Sequence, residues 1–338
     1  MKRLQLVGRL NRNYSAPLHN GLAVIVDEDS LFRSSGGLDS ELLERLRTNE
    51  LSRLGVPVDF YFLGDLARPD MPRYKCYLFL NAFSLDATRR KMIRQAVERD
   101  GVTTIWLYAP GILDPGATTG DPDGRMTSLT GIRLRTKPDR RVLAMRPVGE
   151  HPIVAGMPAD RVLGQWDFKI QCSFGIFPDK PADPGPVIHA PVVYADDPQA
   201  VALARFVEGD EVGACVKRIG NHTSVWFGSP AVSAELLRRV LKFAGVHVYD
   251  DSGDVDYMSA NFLAVHAAHD APQLVRFPRA VDVYDLIADR EVGRGLTEMK
   301  LDLPRLGTGL YFYGKLDDFM PEWQRVKREQ ENDLAVMR

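Results

Sequence analysis

The first third of the sequence alternates short apolar runs with longer amphipathic stretches. The apolar runs cover residues 21–27, 56–63, 74–83 and 102–108. Runs of this length that are rich in β-branched and aromatic residues are typical of strands buried on both faces of a sheet. The stretches after the first and the third run carry apolar residues at helical spacing, and Ser40 and Ser84 stand where helix N-caps are expected. Because single helices between consecutive strands imply right-handed crossovers, the sequence predicts an open α/β fold with a parallel sheet.

The rest of the chain loses this regularity. Residues 110–186 are rich in loop-forming residues, residues 187–228 predict a strand meander, and Ser233 is a further predicted N-cap. Short strand-like pieces follow between residues 262 and 313, after an acidic run that we interpret as a solvated linker. We therefore expect an N-terminal arm (1–20), an α/β domain (21–250), a small antiparallel β-sandwich (258–315) and a charged helical tail (316–338) with few apolar anchors.

Composition excludes several classes of partner. The chain has 43 Lys and Arg against 45 Asp and Glu, for a net charge of -2, so we expect no nucleic-acid binding. No stretch approaches the roughly 18 apolar residues of a membrane span, and no export signal is recognisable, so we expect a cytoplasmic protein if Met1 is the true start. The cysteines Cys76, Cys172 and Cys215 are odd in number and form no CxxC pair, which predicts buried thiols.

Polar side chains follow the predicted parallel strands. Ligands of open parallel sheets bind beyond the carboxyl ends of the strands. The ligand-binding candidates at these ends are Asp27, Ser30, Asn81, Tyr108 and Gly111. They could line one crevice, although Asp27 could instead hold loop amides as a structural side chain.

Other motifs predict neither a cofactor nor a metal. The sequence lacks G-x-G-x-x-G after the first strand, lacks a phosphate loop, and contains no G-x-S-x-G or G-x-C-x-G turn. His266 and His269 are three residues apart at a predicted strand end, where that spacing does not bring side chains together. The acidic run 250–256 lacks the glycine and terminal glutamate of a calcium loop.

Several segments together resemble a known family. They are VIVDEDSLFR (24–33), YKCYLFLNAFSLDATRRKMIRQAVERDG (74–101), TTIWLYAPGILDP (103–115), LTGIRLR (129–135), HPIVAGMP (151–158), SVWFGSPAVSAELLRRVLKFAGVHVY (224–249) and FLAVHA (262–267). In this order they resemble the glutamine-amidotransferase-like middle domain of family 42 β-galactosidases, called the β-galactosidase trimerisation domain. Residues 281–292 resemble the small C-terminal β domain of the same enzymes.

The resemblance implies a flavodoxin-like fold related to class I amidotransferases, whose nucleophilic cysteine lies in a G-x-C-x-G turn after the strand that matches residues 102–108. Ala109 occupies the cysteine position here, and a methyl group cannot attack an amide. The glycosidase glutamates of the family lie on a preceding (β/α)8 barrel, which needs about 250 residues that this chain does not have.

The resemblance therefore implies a non-catalytic oligomerisation or accessory module of a β-galactosidase-type hydrolase. Its partners would be further copies of itself, most simply in a trimer, and a hydrolase barrel, with a carbohydrate nearby. The alternative is an amidotransferase-like protein that binds or hydrolyses a carbohydrate or another small molecule in the crevice around Asp27, Asn81 and Tyr108.

Overall fold

The computed structural model describes residues 6–10, 14, 16–33, 38, 40–117, 120–165, 188–270 and 272–336. Cys172 lies outside the described residues. The chain divides into two compact units. The α/β unit comprises Gly21–Leu51 and Val58–Val246, and the β unit comprises Met1–Asn20, Ser52–Pro57 and His247–Arg338.

The α/β unit contains a large mixed sheet. In chain order the strands of this unit are β1 (Leu22–Val26), β2 (Val58–Phe62), β3 (Cys76–Phe79), β4 (Thr103–Leu107), β5 (Leu134–Lys137), β6 (Arg141–Val142), β7 (Met145–Pro147), β8 (Ile188–His189), β9 (Val192–Ala195), β10 (Val201–Phe206), β11 (Val212–Ile219) and β12 (His222–Phe227). Strands β6 and β8 pair with each other in a separate sheet, and the other ten form the large sheet. Strands β2, β1, β3, β4 and β12 lie side by side in this order and are all parallel. Beyond β12 the sheet continues antiparallel through β11, β10 and β7. The predicted parallel sheet is thus present but forms one half of a mixed sheet.

The α- and π-helices of this unit lie between its strands, except for one that follows the last strand. They are α1 (Glu28–Leu31), the π-helical α2 (Ser40–Glu50), α3 (Ala87–Val97), α4 (Pro122–Thr130) and α5 (Ala234–Phe243). Ser233 caps α5 as predicted, since its side chain accepts a hydrogen bond from the Leu236 amide. The predicted Ser84 cap is wrong, because Ser84 is still extended beside Leu113 and the side chain of Asp86 caps α3 instead.

The centre of this sheet is aromatic. Trp106 stacks on Phe79 of the neighbouring strand with 4.3 Å between ring centroids. The indole N–H of Trp226 donates to the carbonyl of Tyr108 at 2.9 Å. Cys76 and Cys215 are buried free thiols, as predicted, and burial raises the pKa of both. The core therefore reaches the turn that follows β4.

The β unit contains one antiparallel sheet. Its strands are β13 (Val255–Met258), β14 (Phe262–His266), β15 (Gln273–Asp285), β16 (Arg290–Leu301) and β17 (Thr308–Gly314), in the order β13-β14-β17-β15-β16. The described residues form this one sheet rather than the two packed sheets of the predicted sandwich, and the predicted pieces 273–277 and 281–286 join in the long strand β15. Alternate side chains enter two apolar clusters: Tyr311 and Tyr313 lie in one, and Phe312 lies in the other.

The expected terminal segments are part of this unit. Helix α6 (Leu316–Val336) buries Leu316, Phe319, Trp323 and Val326, whose spacing places them on one helical face. Phe319 stacks on Phe312 with 3.8 Å between centroids. The tail is therefore helical, as predicted, but well anchored, and Leu6 and Leu10 of the predicted arm join the same cluster.

The remaining boundaries also differ from the prediction. The Gly55 carbonyl accepts a hydrogen bond from the Tyr249 amide at 2.8 Å, which links residues 52–57 to the β unit. The acidic run is not a solvated linker, since Asp250, Asp254 and Asp256 are all buried. Among the described residues, none of the helices combines the length and the apolar character that crossing a membrane requires.

Candidate functional site

Two adjacent parallel strands bring Asp27 and Asn81 together. Asp27 directly follows β1, and Asn81 lies two residues beyond β3. The Asn81 side chain accepts a hydrogen bond from the Asp27 amide at 2.7 Å and donates one to the Asp27 carbonyl at 2.9 Å. Because the carboxyl ends of parallel neighbours meet at one edge of a sheet, a polar cluster forms here.

The Asp27 carboxylate is fully engaged within the protein. One oxygen accepts hydrogen bonds from the amide and the hydroxyl of Ser30, and the other lies 3.2 Å from the Arg89 guanidinium. Burial raises the pKa of Asp27, while the Ser30 hydrogen bonds and Arg89 act in the opposite direction. We call Asp27, Ser30, Asn81 and Arg89 the strand-end network. Within it, Asp27 caps α1, which matches the structural alternative considered from the sequence.

Ser30 has no hydrogen-bonding capacity left. Its hydroxyl donates to Asp27 and accepts from the amides of Phe83 at 3.1 Å and Ser84 at 2.8 Å. A serine hydroxyl offers one donor and two acceptor positions, so all three are used. Ser30 therefore ties α1 to the segment that follows β3.

The turn after β4 is strained. Tyr108 has a φ of 57°, in the left-handed region that non-glycine residues rarely adopt. Its hydroxyl donates to the Pro191 carbonyl at 2.7 Å, and burial raises the pKa of Tyr108. Gly111 has a φ of 71°, and a Cβ there would lie 3.1 Å from Leu129. Strained residues of this kind cluster at functional sites, and the position after Tyr108 holds only the Ala109 methyl.

A cavity of about 350 Å³ opens beside this turn. Its walls are formed by Ser30, Arg33, Leu38, Phe83, Ser84, Tyr108, Ala109, Ile112, Leu113, Ile188, His189, Ala190 and Pro191. Of the sequence candidates, Ser30 and Tyr108 line the cavity, whereas Asp27, Asn81 and Gly111 do not. The cavity lies within the α/β unit, and the strand-end network adjoins it through Ser30.

Sequence reasoning missed three polar residues of the cavity wall. Arg33 follows α1, Ser84 follows β3, and His189 belongs to β8. The His189 ring lies 5.5 Å from the Tyr108 ring. Position after a strand could have indicated Ser84, but nothing local in the sequence indicates that His189 reaches the β4 turn.

The arrangement offers hydrogen-bond donors and positive charge rather than catalytic carboxylates. None of the described residues that line the cavity is Asp or Glu. Throughout the part of the chain that the structure describes, no group of three His, Cys, Asp or Glu side chains could hold a metal. The side chains of Arg33 and Ser84 at this wall are hydrogen-bond donors, which suit a group rich in acceptors.

Solved β-galactosidases share this fold. The enzyme from Bacillus circulans sp. alkalophilus superposes with a TM-score of 0.62 at 14% identity, over 92% of this chain and 43% of its own. The enzyme from Rahnella sp. R3 superposes with a TM-score of 0.55 at 14% identity, over 92% of this chain and 43% of its own. The enzyme from Marinomonas ef1 superposes with a TM-score of 0.52 at 12% identity, over 92% of this chain and 41% of its own.

These likenesses have a defined extent. The chain spans less than half the length of these β-galactosidases. No protein-family profile matches the sequence, and no curated protein matches it. At such identities the shared property is the fold: a mixed α/β fold with a parallel central portion and antiparallel sheets, matching part of a β-galactosidase chain.

Proposed function

We propose that this chain is a non-catalytic accessory module of a β-galactosidase-type glycoside hydrolase and that it self-associates through its α/β unit. The observation that carries the proposal is the match of 92% of this chain to 43% of the Bacillus circulans enzyme, which leaves more than half of that enzyme without a counterpart here. The natural partners are then further copies of the module and a catalytic hydrolase barrel.

The strand order supports the finer assignment to the trimerisation-domain family. Strands β2, β1, β3, β4 and β12 lie in that spatial order and are parallel. Numbered along the chain within the parallel half, this is 2-1-3-4-5, the flavodoxin-like order. The amidotransferase-like fold implied by the sequence resemblance has this topology.

The site chemistry supports a non-catalytic role. Glycoside hydrolysis ordinarily needs two carboxyl groups about 5–10 Å apart, and the described cavity wall has none. The amidotransferase reaction that the resemblance implies uses a nucleophilic thiol at the turn after β4, where Ala109 offers a methyl. We therefore expect neither β-galactosidase nor glutaminase activity from this chain.

The edge of the sheet supports self-association. Strand β2 ends the strand order, and Phe60 and Phe62 on one of its faces are 47% and 53% exposed. Large apolar side chains on an edge strand favour association with another chain. Closed cyclic assemblies are the usual result for identical chains, and we propose a trimer.

Light scattering across micromolar concentrations tests the assembly. The expected result is the mass of three chains, reduced to one by Phe60→Glu with Phe62→Glu. Ile287→Glu is the matched control, because Ile287 is also apolar and exposed but belongs to the β unit. A parent protein that has the mass of one chain at every concentration would overturn the proposal.

A second candidate function is small-molecule binding in the α/β unit. The cavity beside Tyr108 favours it, because about 350 Å³ lies within the range of ligand pockets. This function is compatible with assembly but depends on different residues. Binding and mass measurements therefore separate the two.

A further inference from the structure

We propose that the cavity beside Tyr108 binds a compact organic carboxylate with an apolar body, held by the Ser84 hydroxyl and the Arg33 guanidinium. This inference rests on the second candidate function, small-molecule binding, and is independent of assembly. It identifies the chemical class of ligand and the groups that recognise it.

The polar groups of the cavity wall differ in whether they have hydrogen-bond partners within the protein. Ser30 uses its full hydrogen-bonding capacity within the protein, and the Tyr108 hydroxyl donates to Pro191. Ser84 differs, because its side chain is completely buried and its oxygen makes no hydrogen bond to any described residue. A buried hydroxyl without a partner costs free energy. Because no surface of Ser84 is accessible, a ligand oxygen can reach its hydroxyl only if the wall beside it shifts, and the hydrogen bond then formed would remove this cost.

The charged residue of the cavity wall is an arginine. Arg33 is an exposed residue that lines the cavity, and it forms no ion pair with a described residue. The nearby carboxylates Asp27 and Asp29 are both paired with Arg89. A guanidinium has only donors and binds planar carboxylates in bidentate fashion. The free groups of the wall therefore favour an anionic acceptor.

Apolar residues outnumber polar ones in the rest of the wall. Phe83 and Tyr108 form an edge-to-face pair 6.2 Å apart, and Ile112, Leu113 and Pro191 add aliphatic surface. A neutral sugar would place hydroxyl groups against this surface without partners, which is unfavourable. A volume near the lower limit of ligand pockets selects a small body, such as a single ring.

Sodium benzoate is a suitable first ligand, with benzamide and galactose as neutral comparisons. Saturation-transfer NMR and titration calorimetry on the full chain should detect benzoate binding in the millimolar range. We expect Ser84→Ala and Arg33→Gln each to weaken it about tenfold or more, as loss of a hydrogen bond to a charged group implies. Ala109→Leu, which fills the cavity without changing a polar group, should also weaken it.

Matched controls are Ser128→Ala and Arg140→Gln, at exposed positions away from the cavity wall. They should leave benzoate affinity unchanged, and melting curves establish that each variant is folded. The proposal is overturned if the parent does not bind benzoate, if benzamide or galactose binds equally well, or if folded Ser84 and Arg33 variants bind like the parent. Light scattering in the same samples shows separately whether assembly fails.

Discussion

The strand-end network and the neighbouring cavity wall contain similar polar side chains but differ in whether these side chains have partners. In the network, Asn81, Ser30 and the Asp27 carboxylate all bond within the protein. In the wall, the equally buried Ser84 hydroxyl makes no bond to a described residue. The comparison teaches that residue type and position at a strand end do not identify a ligand site. A ligand site is indicated instead by a polar side chain that has no hydrogen-bond partner within the protein.

Asn81→Ala should have the largest effect on stability. It removes both hydrogen bonds to the Asp27 backbone and leaves a buried amide without an acceptor, at a cost of about 2–3 kcal/mol in the free energy of unfolding. Urea denaturation measures this loss. Asn221→Ala is the control, because Asn221 is exposed and its side chain donates to the exposed carboxylate of Asp100. Equal losses in the two variants would contradict a structural network at the strand ends.

Ser30→Ala should follow. The substitution removes one donated and two accepted hydrogen bonds, and we expect a loss of about 1–2 kcal/mol. Urea denaturation again provides the measurement, with Ser128→Ala as a control whose effect should stay within about 0.5 kcal/mol. A Ser30 variant as stable as the parent would place this serine with the cavity wall rather than with the network.

Ser84→Ala should leave stability within about 0.5 kcal/mol of the parent or raise it slightly, since a buried hydroxyl without a partner is removed. Ser30 and Ser84 line the same cavity, so their two alanine variants form the sharpest test of the comparison. A loss for Ser84→Ala as large as that for Ser30→Ala would show that the two serines do not differ.

The smallest effect should come from the ionisation of Asp27. Because burial raises its folded pKa above the usual 3.8, the folded protein binds the proton more tightly. The free energy of unfolding should then fall as pH rises from 3.8 through the raised pKa. Asp27→Asn removes this dependence, so its stability relative to the parent should improve with rising pH across that window. Denaturation at a series of pH values checks this; parallel pH curves for the two proteins would contradict it.

Much of the α/β unit is predictable from local sequence. Strands covered on both faces appear in the sequence as continuous apolar runs, whereas helices with one buried face show apolar residues at helical spacing. This difference in periodicity allows the strands and helices of this unit to be predicted. The juxtaposition of Asp27 and Asn81 follows from the same pattern, since they lie just beyond the carboxyl ends of β1 and β3, which are adjacent parallel strands. Burial of Cys76 and Cys215 follows from residue type and spacing.

The β unit is less predictable, because its long strands bend. Strand β15 changes register between Arg276 and Val281, and the sequence pattern there resembles two short strands. The helical tail is anchored more firmly than its charge suggests, because four of its apolar residues at helical spacing join an apolar cluster with residues of the sheet and of the N-terminal arm. Strand pairing and docking of this kind depend on residues distant in sequence.

The sequence by itself determined the strand–helix alternation, the polar residues at the strand ends and the methyl group at position 109. Only the tertiary structure decided which of those polar residues have partners and which face the cavity. The physical reason is that hydrogen-bond satisfaction depends on groups brought together by folding: Tyr108 meets the carbonyl of Pro191 across 83 positions of sequence, and His189 arrives with the same segment. The local sequence pattern does not predict such contacts. The folded structure determines which donors have acceptors and which, like the Ser84 hydroxyl, have none among the described residues.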